Sequence, residues 1–460
     1  MLLTKSNFIH FMDCPCRLWL EKMHPELVPP PDAALERIFI QGRLIDETAQ
    51  QLFPGGLAVE GYNIEGFENT KLALASDAEV LYQPTIVADG LSCRGDILVR
   101  SGDGWDLHEV KMSTHIEEDY YNDAVFQTIC FERGGVKINK TFVTYVNNKY
   151  VRQGEIDIPQ LFVDEDISHE VVKRRPHIEE LIVKAKDVLT WGSVLTSEHI
   201  SGCGSMKKCE WVKLWTDTLP EADRAALLAD ITLTPSKEFP PKYIDIDGIA
   251  QEIAALQYPL YFFDYETHSS AIPSFDGYRP YQQIPFQFSA TVVDYPGATP
   301  VIHDFLAKTF HDPVPELLSA FKVVMGAEGT VISWHAPFEK SRNKEMAVAY
   351  PEYAALLYDV NERTYDLMDI FKKGMYVDPG FKGSNSLKKV MPVLVPELSY
   401  GDLVIQEGGT ASASWAIVTD PELPQAEKDK LYQDMIDYCR LDVLGMVKIL
   451  DVLVELVGRK

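Results

Sequence analysis

Residues 258–267 read YPLYFFDYET, an apolar and aromatic run that turns acidic only at its end. Such a run fits a strand buried on both faces, and strands of that kind belong to sheets layered with helices. Asp264 and Glu266 lie two apart at its end, so both point to one side of the sheet. A charge at the end of an otherwise buried strand is costly unless it is paired or binds a cation. The strand thus constrains the chain to an α/β arrangement and marks an acidic site.

The residues that follow fit the same class. PFQFSATVVDY alternates like a half-buried strand, GTVISWHA reads as another, and KDKLYQDMIDYCRLDVLGMVKILDVLVELV as one or two amphipathic helices. In that last stretch Tyr438 and Asp442 are spaced i, i+4 and share one helix face. SWHAPFEKSRNKE offers Glu339 directly after Phe338. Its plain alternative is a helix-start charge, favoured there by the macrodipole. FKGSNSLKKV carries Lys382, Lys388 and Lys389 near a Gly-Ser turn, placed either to touch phosphates or to line a solvated loop. Asp366 and Asp369 read as structural.

The amino-terminal half is helix, strands, helix and strand, again α/β. The helix AALERIFIQGRLIDETAQQLF precedes strand-like VLYQPTIV, LSCRGDILVR and GWDLHEVKM; the helix IEEDYYNDAVFQTICFERG then precedes INKTFVTYVN. Glu109 and Lys111 are two apart on one strand face, and a turn at Ser101–Gly104 brings Asp96 beside them. Two carboxylates and a lysine on one face suit a metal-dependent phosphodiesterase. The carboxylates would hold Mg²⁺ or Mn²⁺, and the lysine would orient the nucleophile or stabilise charge on phosphorus. The alternative is a surface hairpin with solvated charges.

Two resemblances sharpen these readings. RGDILVR and WDLHEVKMST, with Gln127 and Phe131 on the next helix, resemble the PD-(D/E)XK nucleases of the RecB-like superfamily. That resemblance implies a restriction-endonuclease-like fold over residues 1–215 and a further ligand from QGRLIDETAQQLF, with Glu47 preferred and Asp46 second. FFDYET with YCRLD resembles the DEDD exonucleases of the ribonuclease H-like fold, in the subclass with a tyrosine in the last motif. It implies a domain over 257–460 in which Asp264, Glu266, Glu339 and Asp442 hold two metals and Tyr438 positions the attacking water. The family usually has Asp where this chain has Glu339. The order of both halves, from LTKSNFIHFMDCPCRLWLEK to GSNSLKKVMPVLVPELSY, resembles the bacterial family called domain of unknown function 2779, which implies the two-nuclease architecture and no biological role.

Some RecB-like nucleases, including those of CRISPR adaptation, hold an iron–sulfur cluster with one early and three late cysteines. Cys14, Cys16, Cys203 and Cys209 are the corresponding candidates, but Trp215 stands where the last late cysteine would fall. The departure favours ordinary thiols over an intact cluster. Cys93, Cys130 and Cys439 read as core.

Composition sets the outer limits. A chain of 460 residues exceeds one ordinary core, and 216–256 reads as the linker between the two domains. Forty-three Lys and Arg against 69 Asp and Glu leave a net charge of −26, which opposes sequence-blind nucleic-acid binding by counterion release. It does not oppose a nuclease whose carboxylates surround metal ions. The absence of a roughly 20-residue apolar run argues against a membrane partner. Without a signal-peptide pattern, and with seven scattered cysteines, a reduced, cytoplasmic protein is expected. The expected function is a metal-dependent nuclease acting on nucleic acid, DNA before RNA, in processing, repair or defence. The alternatives are a chain active only at its C-terminal site with the other half as clamp, or an inactive binding scaffold.

Overall fold

The computed structural model describes residues 1–31, 33–196, 199, 210–229, 239–401, 403–405, 408–420 and 422–458. The chain divides into two compact units, Met1–Ser236 with Ala271–Tyr281, and Lys237–Ser270 with Gln282–Lys460. Both are mixed α/β, as the sequence predicts. The segment Ala271–Tyr281, expected in the C-terminal domain, groups with the first unit. The Arg152 guanidinium donates to the carbonyls of Pro273 and Ser274 at 3.0 Å, Gly277 N–H donates to the Arg152 carbonyl at 2.9 Å, and Ala271 shares an apolar cluster with Ile97 and Val110. Among the described residues no helix is long and apolar enough to cross a membrane.

In the first unit, β2 (Leu57–Ala58), β3 (Val80–Tyr82), β6 (Ile97–Ser101), β7 (Gly104–Lys111), β8 (Ile138–Val146) and β9 (Phe162–Asp166) form one sheet in that order. A smaller sheet has the order β1 (Leu3–Thr4), β5 (Leu91–Arg94), β4 (Thr85–Ala88). The β6–β7 hairpin turns at Ser101–Gly104, as the sequence predicts, and β7 and β8 run parallel, joined through the helix Glu118–Arg133.

Two expected strands are each cut in two. VLYQPTIV breaks at Gln83, whose φ is +56°, and at Pro84, which has no N–H for a ladder. LSCRGDILVR breaks at Gly95, where a Cβ would lie 2.9 Å from the Phe131 ring. Only glycine lets the chain pass that ring, and the passage carries Asp96 from one sheet to the other. Phe126, Ile129 and Phe131 are fully buried between helix and sheets, each side chain stabilising the fold by about 2–3 kcal/mol.

In the second unit the main sheet has the order β13 (Val301–Leu306), β12 (Ile284–Val293), β11 (Leu260–His268), β14 (Thr330–Ser333), β15 (Thr364–Asp366). β12 is antiparallel to β11 and β13, whereas β14 runs parallel to β11 and β15 parallel to β14. A two-stranded pair, β10 (Tyr243–Ile244) with β16 (Tyr376–Val377), completes the strands described. The C-terminal stretch is one helix, Gln425–Gly458, whose Val443, Met446, Leu450 and Leu453 pack with Phe262 and Ile332.

Candidate active sites: two carboxylate clusters

The first cluster forms where β7 leaves the sheet core. Glu109 is almost fully buried, and both its oxygens are engaged. Oε1 accepts from Lys111 Nζ at 2.7 Å and from Lys5 Nζ at 2.9 Å, and Oε2 accepts from Gln127 Nε2 at 2.5 Å. Lys111 Nζ also reaches Asp123 Oδ2 at 2.5 Å, and Gln127 donates to Asp123 Oδ1 at 3.2 Å. Asp96 accepts the Val110 backbone N–H at 2.8 Å. Burial pushes Glu109 upward, but the ammoniums of Lys111 and Lys5 and the bonds from Lys111 and Gln127 hold it well below the usual carboxylate range. Asp96 is pushed well up by burial and by the Glu109 charge.

Asp96, Glu109, Lys111 and Gln127 therefore come together as the sequence predicts. Of the preferred Glu47 and the second candidate Asp46, the one beside the cluster is Asp46. Glu47 is exposed, whereas Asp46 is half-buried and pushed up to about 7 by burial and by Glu109. Helical geometry turns adjacent residues about 100° apart, so only one of them can face the cluster. Sequence reasoning missed Asp123 and Lys5. The i, i+4 spacing of Asp123 and Gln127 on one helix was a usable signal; nothing near Lys5 in the chain marked it.

The second cluster gathers on β11 and two helices. Asp264 and Glu266 stand two apart before a register shift between Glu266 and Thr267. Glu339, in the first turn of the helix Pro337–Ala349, is buried and hydrogen-bonded to Asp264, so it is no solvated helix-start charge. Its Oε2 is buried without a hydrogen-bond partner. Asp442 and Tyr438 project from the C-terminal helix, and Tyr438 and Tyr400 both hydrogen-bond the Asp442 carboxylate. Burial and the neighbouring Asp442 charge push Glu266 up to about 8; burial pushes Glu339 up to about 8 and Asp442 to about 6. Asp264 is pushed well up by burial and by Asp442. The same two causes keep Tyr438 protonated, so it acts as a donor.

A 440 Å³ cavity opens on this cluster, lined by Asp264, Asp442, Lys388, Trp334, His335 and Met446 among others. Lys388 sits 5.4 Å from the Tyr438 ring centre and 5.7 Å from that of Tyr400, and its charge lowers Glu266 and Asp442. Lys382 and Lys389, expected with it, are exposed, and neither is among the residues lining the cavity. Asp366 accepts the backbone N–H groups of His335 and Met368 at 3.0 and 3.1 Å, the structural part expected of it. Cys439 is core, as expected, yet its thiol also donates to the Asp264 carbonyl at 3.8 Å. Tyr400 was not foreseen, since it lies 42 residues from its partner.

Of the cysteines proposed for a cluster, Cys16 is buried and Cys14 half-buried, while Cys203 and Cys209 lie outside the described residues. Cys93 and Cys130 are core, as expected. Trp215 packs edge-on against Trp19 with ring centres 5.4 Å apart.

The raised carboxyls set a pH response in metal-free protein. Glu266, Glu339, Asp46 and Asp442 keep their protons to higher pH in the folded chain than in the unfolded one. The folded state thus binds more protons between about pH 4.5 and 8, and stability is lost as pH rises through that window. Glu109, held low, titrates below it. In EDTA the unfolding free energy should fall from pH 5 to 8 by at least the roughly 3 kcal/mol that one carboxyl raised to about 8 contributes. A denaturant midpoint that stays flat or rises would contradict these assignments.

Residues 261–386, which include Asp264, Glu266 and Glu339, match the family model described as Domain of unknown function (DUF2779). Uncharacterized protein UU173 of Ureaplasma parvum serovar 3 is 28% identical over 214 residues, covering 41% of this chain and 30% of that protein. The uncharacterized protein MG366 homolog of Mycoplasma pneumoniae is 28% identical over 208 residues, covering 41% of this chain and 31% of that protein. The chain thus spans less than a third of the length of these curated relatives. The crystal structure of SSO0001 aligns with 47% of this chain and 85% of its own at 12% identity and a TM-score of 0.24, too slight a likeness to carry an argument about fold. What this chain is similar to in the described families and relatives is itself without an assigned activity.

Proposed function

We propose that the protein is a metal-dependent nuclease with two phosphodiesterase sites, a PD-(D/E)XK-like one in the first unit and a ribonuclease H-like 3′–5′ exonuclease site in the second. The observation that carries the reading is the second cluster: four carboxylates crowded at the end of a buried strand, with carboxyls pushed up and one buried oxygen of Glu339 unpartnered. Like charges held this close must keep protons or take up cations, and four carboxylates would suit Mg²⁺ or Mn²⁺. The sheet order β13-β12-β11-β14-β15, with only β12 antiparallel to its companions, supports the ribonuclease H-like reading. The β6–β7 hairpin followed by helix Glu118–Arg133 and parallel β8 supports the other.

Bound metal would supply an activated water and charge neutralisation at the leaving oxygen. The chain's own groups have separate tasks. Asp264, Glu266, Glu339 and Asp442 would hold the ions in the second site. Tyr438, a donor anchored on Asp442, would orient the attacking water, and Lys388 at the cavity wall would meet a phosphate. In the first site Asp96, Glu109 and Asp46 would be the ligands, Lys111 the cation beside the reacting phosphate, and Gln127 the prop of Glu109.

One observation favours a second reading, in which only the second cluster cleaves. Glu109 Oε1 is shared by two ammoniums, so the first cluster is partly satisfied by the chain itself. A single assay tests the proposal: end-labelled single- and double-stranded DNA and RNA with Mn²⁺ or Mg²⁺, against EDTA. Degradation that needs the metal, with DNA the better substrate, is expected; degradation that persists in EDTA would sink both site assignments.

A further inference from the structure

Lys5 is the one member of the first cluster that local chemistry argues against. It opens the helix Lys5–Asp13, where the positive end of the helix dipole disfavours a cation. Its backbone is nevertheless pinned. Leu3 is fully buried, β1 pairs in parallel with β5 through Leu3↔Leu91 and Thr4↔Ser92, and the Thr4 side chain caps the helix by accepting the Asn7 N–H at 3.2 Å. From there the ammonium reaches Glu109 Oε1 at 2.9 Å and lies 3.8 Å from Asp123 Oδ1, with the side chain mostly covered.

A carboxylate oxygen offers two lone-pair directions. On Glu109 Oε1 both are taken, one by Lys5 and one by Lys111. Oε2 already accepts from Gln127. With Asp46, Asp96, Glu109 and Asp123 all ionised, as ion binding would require, the two ammoniums of Lys5 and Lys111 leave a formal charge of −2, which one divalent ion would neutralise.

We propose that Lys5 is the resident counter-cation of this cluster, holding Glu109 Oε1 until a divalent ion engages Glu109 and displaces it. The inference rests on reading the first cluster as a divalent-ion site. Lys5 is a positioning residue here: it competes with the ion for one oxygen, and so ties ion binding to the segment formed by β1 and its helix.

The test is Mn²⁺ binding by the full chain, read from the electron paramagnetic resonance of the free ion. Asp264→Asn and Asp442→Asn in the parent take the second cluster out of the titration. Lys5→Met removes the competing charge and should tighten Mn²⁺ binding about tenfold, since the ion no longer has to displace a cation from Glu109 Oε1. Lys5→Arg should stay within about threefold of the parent, because the charge is kept. Glu109→Gln should abolish binding. Equal or weaker affinity in Lys5→Met, with Glu109→Gln still silent, would overturn the proposal and leave the site reading standing. No binding in either the parent or Lys5→Met would overturn both. Should Lys5→Met fail to fold, Lys5→Gln, which still donates to Glu109, takes its place under the same outcomes.

Discussion

Asp264→Asn is expected to slow Mn²⁺-dependent shortening of DNA from its 3′ end by on the order of 10³-fold while leaving the protein as stable as before, or more so. Asp264 hydrogen-bonds Glu339 and lies close enough to Asp442 and Glu266 to feel both charges, so it touches every other carboxylate of the cluster. On the proposed reading, removing its charge would remove a metal ligand. It also relieves like-charge repulsion, which metal-free protein must otherwise bear by holding protons. Opposite signs for activity and stability distinguish a functional carboxylate from a structural one. A 5′-labelled single strand followed over time, together with a denaturant midpoint in EDTA, reads both. Unchanged shortening by a folded variant would end the exonuclease reading.

Lys111→Ala should have the opposite signature in the first unit. The ammonium bridges Glu109 at 2.7 Å and Asp123 at 2.5 Å, and both carboxylates are nearly covered. Breaking a buried ion pair from one side strands the other charge, at a cost of about 3–5 kcal/mol. Lys5 offsets part of this through Glu109, so on the order of 3 kcal/mol is expected from the denaturant midpoint. The cleavage assigned to the first site should fall by on the order of 10²-fold or more. Lys111→Arg should recover much of the stability and little of the activity, because a planar guanidinium cannot take the ammonium's place as a compact charge. A stable Lys111→Ala with unaltered products would favour the clamp reading of this unit.

How much of this was legible in the chain follows from the range of each signal. Strand-borne pairs at i, i+2 and helix-borne pairs at i, i+4 are local, so Asp264 with Glu266, Glu109 with Lys111, and Tyr438 with Asp442 could be read directly. Asp96 beside Glu109 was legible through the hairpin turn. Choosing between Asp46 and Glu47 required the roll of a helix about its axis, which spacing alone does not set. Lys5 lies 104 residues from Glu109 and Tyr400 lies 42 from Asp442, and neither has a periodic or charged neighbourhood that points across that gap. The split strands were hidden because Gly95 looks like an ordinary interruption until the Phe131 ring is in place, and the positive φ of Gln83 before Pro84 has no sequence signature. The grouping of Ala271–Tyr281 with the first unit depends on Arg152 and backbone carbonyls, and carbonyls have no sequence signature.

On the proposed reading, two separate carboxylate clusters would each cleave nucleic acid with a divalent ion. The most direct measurement is one time course of 5′-labelled and internally labelled DNA in Mn²⁺, run on the parent, Asp264→Asn, Lys111→Ala and the double variant. Each single variant should lose a different set of products, with independent effects on the two sets because the residues lie in different cores, and the double variant should be inert. A folded double variant that degrades DNA at the parent's rate, in Mn²⁺ or in EDTA, would contradict it.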